Sequence, residues 1–255
     1  MRIASIHAHP DDAEILAGGT LALLAQDGHE VTVVTMTPGD CGSAEHGPDE
    51  IAGIRRREAA GAAALIGAAY VCAEFRDLAI FSDDNSRRRV TELVRKVRPD
   101  IVLTSAPVDY LCDHEATSAL VRDALFAASA PNYATHAENP SAPLEAIPHL
   151  YFMDAVGGVD RNGRPLAADF YLDVTATFAT KRAMLAQHAS QRGWLLKQHG
   201  IDNYLETMEE WTRARGLHAG RTYAEGFRRY RGHPYPQTPL LEELLGARVI
   251  TPAAE

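Results

Sequence analysis

Two short runs hold the residue types that could do chemistry: His9-Pro10-Asp11-Asp12 and Asp109-Tyr110-Leu111-Cys112-Asp113-His114. Two imidazoles and one carboxylate around a divalent ion form a common catalytic zinc set, with the fourth position left open for water or substrate. His9, Asp12 and His114 could supply it, and Asp11 would then stand beside the set as a carboxylate free to take a proton. The plainer reading makes Asp11 and Asp12 caps of a helix and His9 an ordinary turn residue. Which reading holds depends on whether two runs about a hundred residues apart are brought together.

The elements that must position them are legible in the pattern. Apolar, β-rich runs at 3–8, 31–37, 70–75 and 101–105 alternate with helical stretches, which predicts βαβ units, a mostly parallel sheet and an α/β fold with helices on both faces. Val90, Leu93, Val94 and Val97 follow helical spacing, and Arg98-Pro99-Asp100 stops that helix before the fourth strand. Ligands of open parallel sheets bind outside the carboxyl ends of the strands. The two runs follow the first and the fourth strand. Pro10 reads as part of the first helical turn, and the helix N-terminus is expected to keep Asp11 and Asp12 both ionised.

Beyond residue 129 the pattern loosens. Pro131, Pro140, Pro143 and Pro148 mark 131–148 as a long loop or lid. Segments 149–156 and 170–174 read as two further strands around turns at Gly157-Gly158 and Asn162-Gly163. Helices are expected over 175–189 and 203–214, and the tail from His233 is proline-rich and weakly patterned. No repeat or linker divides the chain. One domain is expected over 1–255, with 1–130 as the metal-binding core and 131–255 shaping the pocket.

The balance of 25 Lys and Arg against 34 Asp and Glu leaves a net charge of −9, which argues against nucleic acid and for a small neutral or cationic ligand. No charged leader followed by an apolar stretch opens the sequence and no membrane-spanning run occurs in it, so a cytoplasmic protein away from the membrane is expected. Three cysteines without paired spacing suit a reducing compartment. Dinucleotide binding lacks its glycine fingerprint, since Gly18-Gly19 falls inside the first helix.

The chain resembles the PIG-L/LmbE-like metal-dependent N-deacetylases. The likeness rests on Ala8-His9-Pro10-Asp11-Asp12-Ala13-Glu14, Arg55-Arg56-Arg57-Glu58, Arg98-Pro99-Asp100, the run from Asp109 to His114, and His188-Ala189-Ser190-Gln191. It implies a Rossmann-like fold, a zinc ion (Fe2+ and other divalent metals can substitute) and hydrolysis of an acetamide on an amino sugar. By position, His9, Asp12 and His114 are implied as ligands and Asp11 as general base, with Asp113 orienting a neighbouring ring. One departure stands out: many relatives carry a transition-state-stabilising His where this chain has Leu111. Tyr110 or His188 is expected to supply the missing donor.

Arg55, Asp77 and Asp109 are the expected substrate contacts, against plainer readings of Arg55 as part of a solvated basic face, Asp77 as a turn cap and His188 as a structural histidine. Thr37 to Gly42 is expected to line the pocket through backbone, with Cys41 no nucleophile. Tyr204, Trp211, Tyr223, Phe227 and Tyr230 read as core or subunit contact, and Arg228, Arg229 and Arg231 as a solvated or intersubunit face. The resemblance leaves room for a homo-oligomer. The rival functions are an amidase of thiol or antibiotic conjugates and a non-catalytic sugar-binding protein.

Overall fold

The computed structural model describes residues 1–199 and 203–252, without the side chains of 198 and 199. Its centre is an eight-stranded sheet among the described residues, in the order β3-β2-β1-β4-β5-β7-β6-β8. The strands are β1 (Arg2–His7), β2 (Glu30–Thr35), β3 (Ala69–Cys72), β4 (Ile101–Thr104), β5 (His149–Met153), β6 (Phe170–Asp173), β7 (Ala224–Arg229) and β8 (Val249–Ile250). The pairs β3·β2, β2·β1, β1·β4 and β4·β5 are parallel, and β5·β7, β7·β6 and β6·β8 are antiparallel. The expected mostly parallel α/β sheet is what forms.

Side chains of successive strand residues point to opposite faces, and both faces are covered. Ala4, Ile6, Val102, Leu150 and Phe152 enter one core with Val90 and Val94 of α3 (Asp84–Val97) and Leu120, Val121 and Ala124 of α4 (Cys112–Ala128). Ile3, Ile101, Leu103, Tyr151 and Met153 enter the other. That second core is closed by Leu21 and Leu24 of α1 (Asp12–Gln26), Ala63 of α2 (Pro48–Ala64) and Leu241 of α8 (Leu240–Leu245). Strand order turns at β1, whose neighbours β2 and β4 leave in opposite directions. A crevice therefore opens at the carboxyl ends of β1 and β4, where both chemical runs lie.

Four expectations need correction. Strands β5 and β6 do not form a hairpin: β7 lies between them, antiparallel to both. Its sequence Ala-Glu-Gly-Phe-Arg-Arg hides the strand because a polar residue and a glycine in it answer tertiary needs. Glu225 is buried and accepts from Lys181 Nζ at 2.6 Å and Thr20 N at 2.8 Å, while a Cβ on Gly226 would lie 2.5 Å from Asp154 Oδ2. Arg228 and Arg229 are likewise no free face, since they pair with Asp154 at 3.5 Å and Glu242 at 3.1 Å.

Second, the helix expected over 175–189 is two, α5 (Phe178–Leu185) and α6 (Ala189–His199), with a break that turns His188 inward. Third, 131–148 is loop, yet it is no lid. Glu92 holds it through Thr135 Oγ1 at 2.7 Å and Ser141 N at 2.9 Å, and none of its residues lines the main cavity. Fourth, α1 begins at Asp12, so Pro10 precedes the helix. The segment expected over 203–214 runs on as α7 (Tyr204–Ala219), and the proline-rich tail contributes α8 and β8.

Candidate active site

The turn after β1 carries Asp11 at φ 106° and ψ −25°, a left-handed backbone uncommon for a residue with a Cβ. Asp11 is not a side-chain cap of α1; Asp12 is the residue that folds back, accepting from His9 N at 2.8 Å through Oδ2. The other half of the set comes from α4, where Leu111 is the N-cap and the first turn presents Asp113 and His114. The two imidazole rings meet with centroids 5.4 Å apart. His114 Nε2 lies 3.4 Å from Asp12 Oδ1 and His9 Nδ1 lies 3.6 Å from Asp12 Oδ2. One donor atom from each of His9, Asp12 and His114 fits within 4.8 Å of the others.

The far nitrogen of each ring is held by a carboxylate: His9 Nε2 by Asp113 Oδ2 at 3.2 Å, and His114 Nδ1 by Asp109 Oδ1 at 3.1 Å. Such outer carboxylates fix the tautomer and aim the remaining lone pair at a metal. Asp113 Oδ2 also accepts from Leu78 N at 2.7 Å, and Asp109 Oδ2 from Val156 N at 3.2 Å, so both are themselves anchored. The donor set and its orientation fit a divalent ion such as zinc.

The charges fit as well. Burial works to lower the pKa of His9, but Asp113 and Asp12 outweigh it and raise it to about 9. Burial is overcome in the same way at His114, which Asp12 and Asp109 hold well above its ordinary value. Burial tends to raise Asp12, yet His114 and His9 keep it well below the usual carboxylate range. Asp11 departs from expectation. Burial, joined by the charge of Asp12, outweighs Arg55 and raises its pKa above the ordinary value. An acid poised higher than its neighbour is the kind that can both accept and return a proton.

Behind Asp11 stands a buried polar cluster. Tyr204 donates its hydroxyl hydrogen to Asp11 Oδ2, and Arg55 lies 3.7 Å from Asp11 Oδ1 while donating to Pro10 O at 2.8 Å. Gly39, at φ 77°, makes room for that guanidinium, because a Cβ there would lie 2.4 Å from it. Arg55 is thus buried, not part of a solvated face; Arg57 is the exposed member, and the half-buried Arg56 pairs with Glu74. His188 is also buried, 3.6 Å from Glu14. Burial lowers its pKa, but Glu14 and Asp11 leave it raised overall.

A cavity of about 860 Å³ opens over the set. His9, Asp11, Asp12, His114, Arg55 and Asp77 are its charged or ionisable lining, and Trp194, Leu195, Met208 and Trp211 from α6 and α7 its large apolar lining. Leu111 and Tyr110 lie on the rim beside His114, with the Tyr110 ring edge-on to the imidazole at 5.5 Å.

Residues 4–125 match the family model described as PIG-L: GlcNAc-PI de-N-acetylase. That match spans just under half of the chain and includes both chemical runs. Among relatives of known name, the Pseudomonas putida 4-oxalmesaconate hydratase is 27% identical over 194 residues, 73% of this chain and 72% of its own. The 1D-myo-inositol 2-acetamido-2-deoxy-alpha-D-glucopyranoside deacetylase of Corynebacterium diphtheriae is 28% identical over 236 residues, 76% of this chain and 77% of its own. The solved N,N'-diacetylchitobiose deacetylase of Pyrococcus horikoshii superposes with a TM-score of 0.75 at 25% identity, covering 93% of this chain and 88% of that one.

His9, Asp11, Asp12, His114, Arg55, Asp77 and Tyr110 all reach the cavity. Asp109, Asp113 and His188 do not line it. Asp109 and Asp113 serve the histidines, which leaves the expected substrate contact of Asp109 without support. His188 sits behind Asp11. Asp77 accepts from Cys41 N at 2.9 Å and so shapes the 37–42 turn, of which Cys41 and Gly42 reach the cavity. Burial and the nearby carboxylates push the Cys41 thiol up, against a nucleophile. Tyr204 and Trp211, read from the sequence as core or subunit contact, line the cavity, and so do Trp194 and Met208, which the sequence reading did not single out. Aromatic and apolar residues on a helix carry the same pattern whether they face a core or a pocket.

Proposed function

We propose that this chain hydrolyses the N-acetyl, or a related N-acyl, amide of an amino sugar or amino-sugar-containing small molecule, with zinc held by His9, Asp12 and His114. The observation that carries the reading is the meeting of those three donors, from two strand ends, beside Asp11 on the floor of the cavity. A bound divalent ion would supply Lewis acidity, polarising the amide carbonyl and acidifying a water. Asp11 takes the proton from the attacking water and returns it to the nitrogen as the C–N bond breaks, giving a carboxylic acid and a free amine. Its raised pKa favours the return. Tyr204 and Arg55 hold the two Asp11 oxygens in place. Tyr110, exposed on the rim, takes the donor role that Leu111 leaves vacant, and His188 acts on Asp11 from behind through its charge.

Amide hydrolysis is favoured over hydration of an anion such as the one in the Pseudomonas putida enzyme's name. The cavity offers one guanidinium, that of Arg55, already engaged by Asp11 and Pro10 among the described residues. The three cysteines are free and none of the described helices is long and apolar enough to cross a membrane, which accords with a small-molecule enzyme of the cytoplasm. Metal content after purification, followed by amine release from N-acetylglucosamine derivatives, tests the proposal. Asp11→Asn is expected to keep the metal and lose turnover by about 100-fold or more, while His114→Ala loses both. A wild-type protein that neither holds zinc nor releases amine when zinc is added would end it.

A further inference from the structure

The cavity is divided by polarity, and the division has a chemical meaning. Every charged group lining it lies on the strand-end side, in reach of an amide and one hydroxylated ring. The large apolar lining groups are Trp194 and Leu195 of α6 and Met208 and Trp211 of α7. The uncharged polar groups that α6, α7 and Asn203 add to the lining are Gln191, Asn203 and Thr207, and Gln191 faces the Gly42 turn, its Oε1 3.4 Å from the Cβ position there.

This wall is held firmly. Met208 is fully packed in a small core with Phe178, Leu185 and Tyr204, against which Leu195 and Ile15 lie. Trp211 stands about 3.9 Å from the Cβ position of Gly157 in the turn after β5. The volume, about 860 Å³, is of the size that encloses a drug-sized ligand. A second hydroxylated ring seated there would lose water from its hydroxyls and gain few partners, at a cost for each unpaired group.

We infer that the substrate of this site carries an aryl or alkyl group next to its acylated amino-sugar unit, and that Trp194, Leu195, Met208 and Trp211 are the residues that select it. The inference rests on the amide-hydrolase reading for the orientation of the substrate, but its own test is a binding measurement. An apolar group could be attached through the anomeric oxygen or through the acyl carbon; both present the same surface to the wall.

The two tryptophans of the chain both belong to this wall, so intrinsic fluorescence reports on it directly. The metal-free protein is titrated with the methyl and the phenyl glycoside of N-acetylglucosamine, N-hexanoylglucosamine and N,N'-diacetylchitobiose. Burying a phenyl or butyl extension predicts binding on the order of tenfold tighter than the methyl glycoside, with a change in emission. A gain for the phenyl glycoside alone places the apolar group on the anomeric side, and a gain for the hexanoyl compound alone places it on the acyl side. Met208→Gln is expected to shrink the ratio severalfold, with near-ultraviolet circular dichroism confirming the fold. The proposal is overturned by equal binding of all four, or by preference for diacetylchitobiose. Amine release with zinc is read separately: its absence for every compound would refute the hydrolase reading and leave the binding preference standing.

Discussion

Metal binding at this site should expel protons, and the number can be worked from the structure. With its pKa raised to about 9 by Asp113 and Asp12, His9 is about 99% protonated at pH 7 in the metal-free protein. A metal accepts only the neutral imidazole. Two pH units correspond to about 2.7 kcal/mol, so protonation of His9 alone weakens apparent zinc affinity about 100-fold at pH 7. His114, raised by Asp12 and Asp109, carries a second proton that must leave. The sign follows: acid favours the protonated, metal-free cluster, and apparent affinity climbs with pH until His9 titrates near 9. Titration calorimetry at pH 7 in buffers of different ionisation enthalpy should count about two protons released per zinc, and log K should rise by about 2 per pH unit between pH 6 and 8. Fewer than one proton released, with affinity flat over that range, would refute the reasoning, because the rings would then be neutral before the metal arrives.

Two further outcomes follow from the same geometry. Asp109→Asn removes the charge that orients His114 Nδ1 at 3.1 Å, and zinc affinity measured against a competing chelator should fall about 10- to 100-fold; affinity within twofold of wild type would mean that Asp109 serves only the loop. His7 is buried, which pulls its pKa down to about 4 even though Asp12 and Glu14 oppose. Because the unfolded chain binds that proton below about 6.5 and the folded chain resists it, stability is full above that pH and drains as pH falls towards 4. Urea denaturation of the metal-free protein should show about 2 kcal/mol lost between pH 7.5 and 5, with the loss largely gone in His7→Asn. An unchanged slope in that variant would assign the acid sensitivity elsewhere.

Much of the parallel half was legible because its signals are local. Ile3, Ala4, Ile6, Val31, Val33, Val34, Ile101, Val102 and Leu103 are buried on both faces of a sheet, so each strand reads as a nearly continuous apolar run, broken only by Ser5 and Thr32. The alternation with α3 and α4 then dictates where strands end, which puts His9 and His114 each at a strand-to-helix junction; that β1 and β4 are neighbours is decided by the sheet order. The antiparallel half was not legible. Strand β7 has a buried glutamate answered by Lys181 from α5 and a glycine answered by Asp154, and no window around residues 224–229 contains either partner.

The sequence by itself therefore determined the class of fold and put the residue types that could do chemistry at two strand ends, since both depend on residue type and on spacing of a few residues. Tertiary structure alone decided the rest. It turned Arg55 inward to Asp11, set Asp109 and Asp113 against the histidines, raised Asp11 while lowering Asp12, and set Tyr204, Trp194, Met208 and Trp211 around the cavity. Each of those outcomes is an interaction between groups far apart in the chain. Burial and charge at such contacts are properties of the assembled neighbourhood, and the residue type carries no record of them.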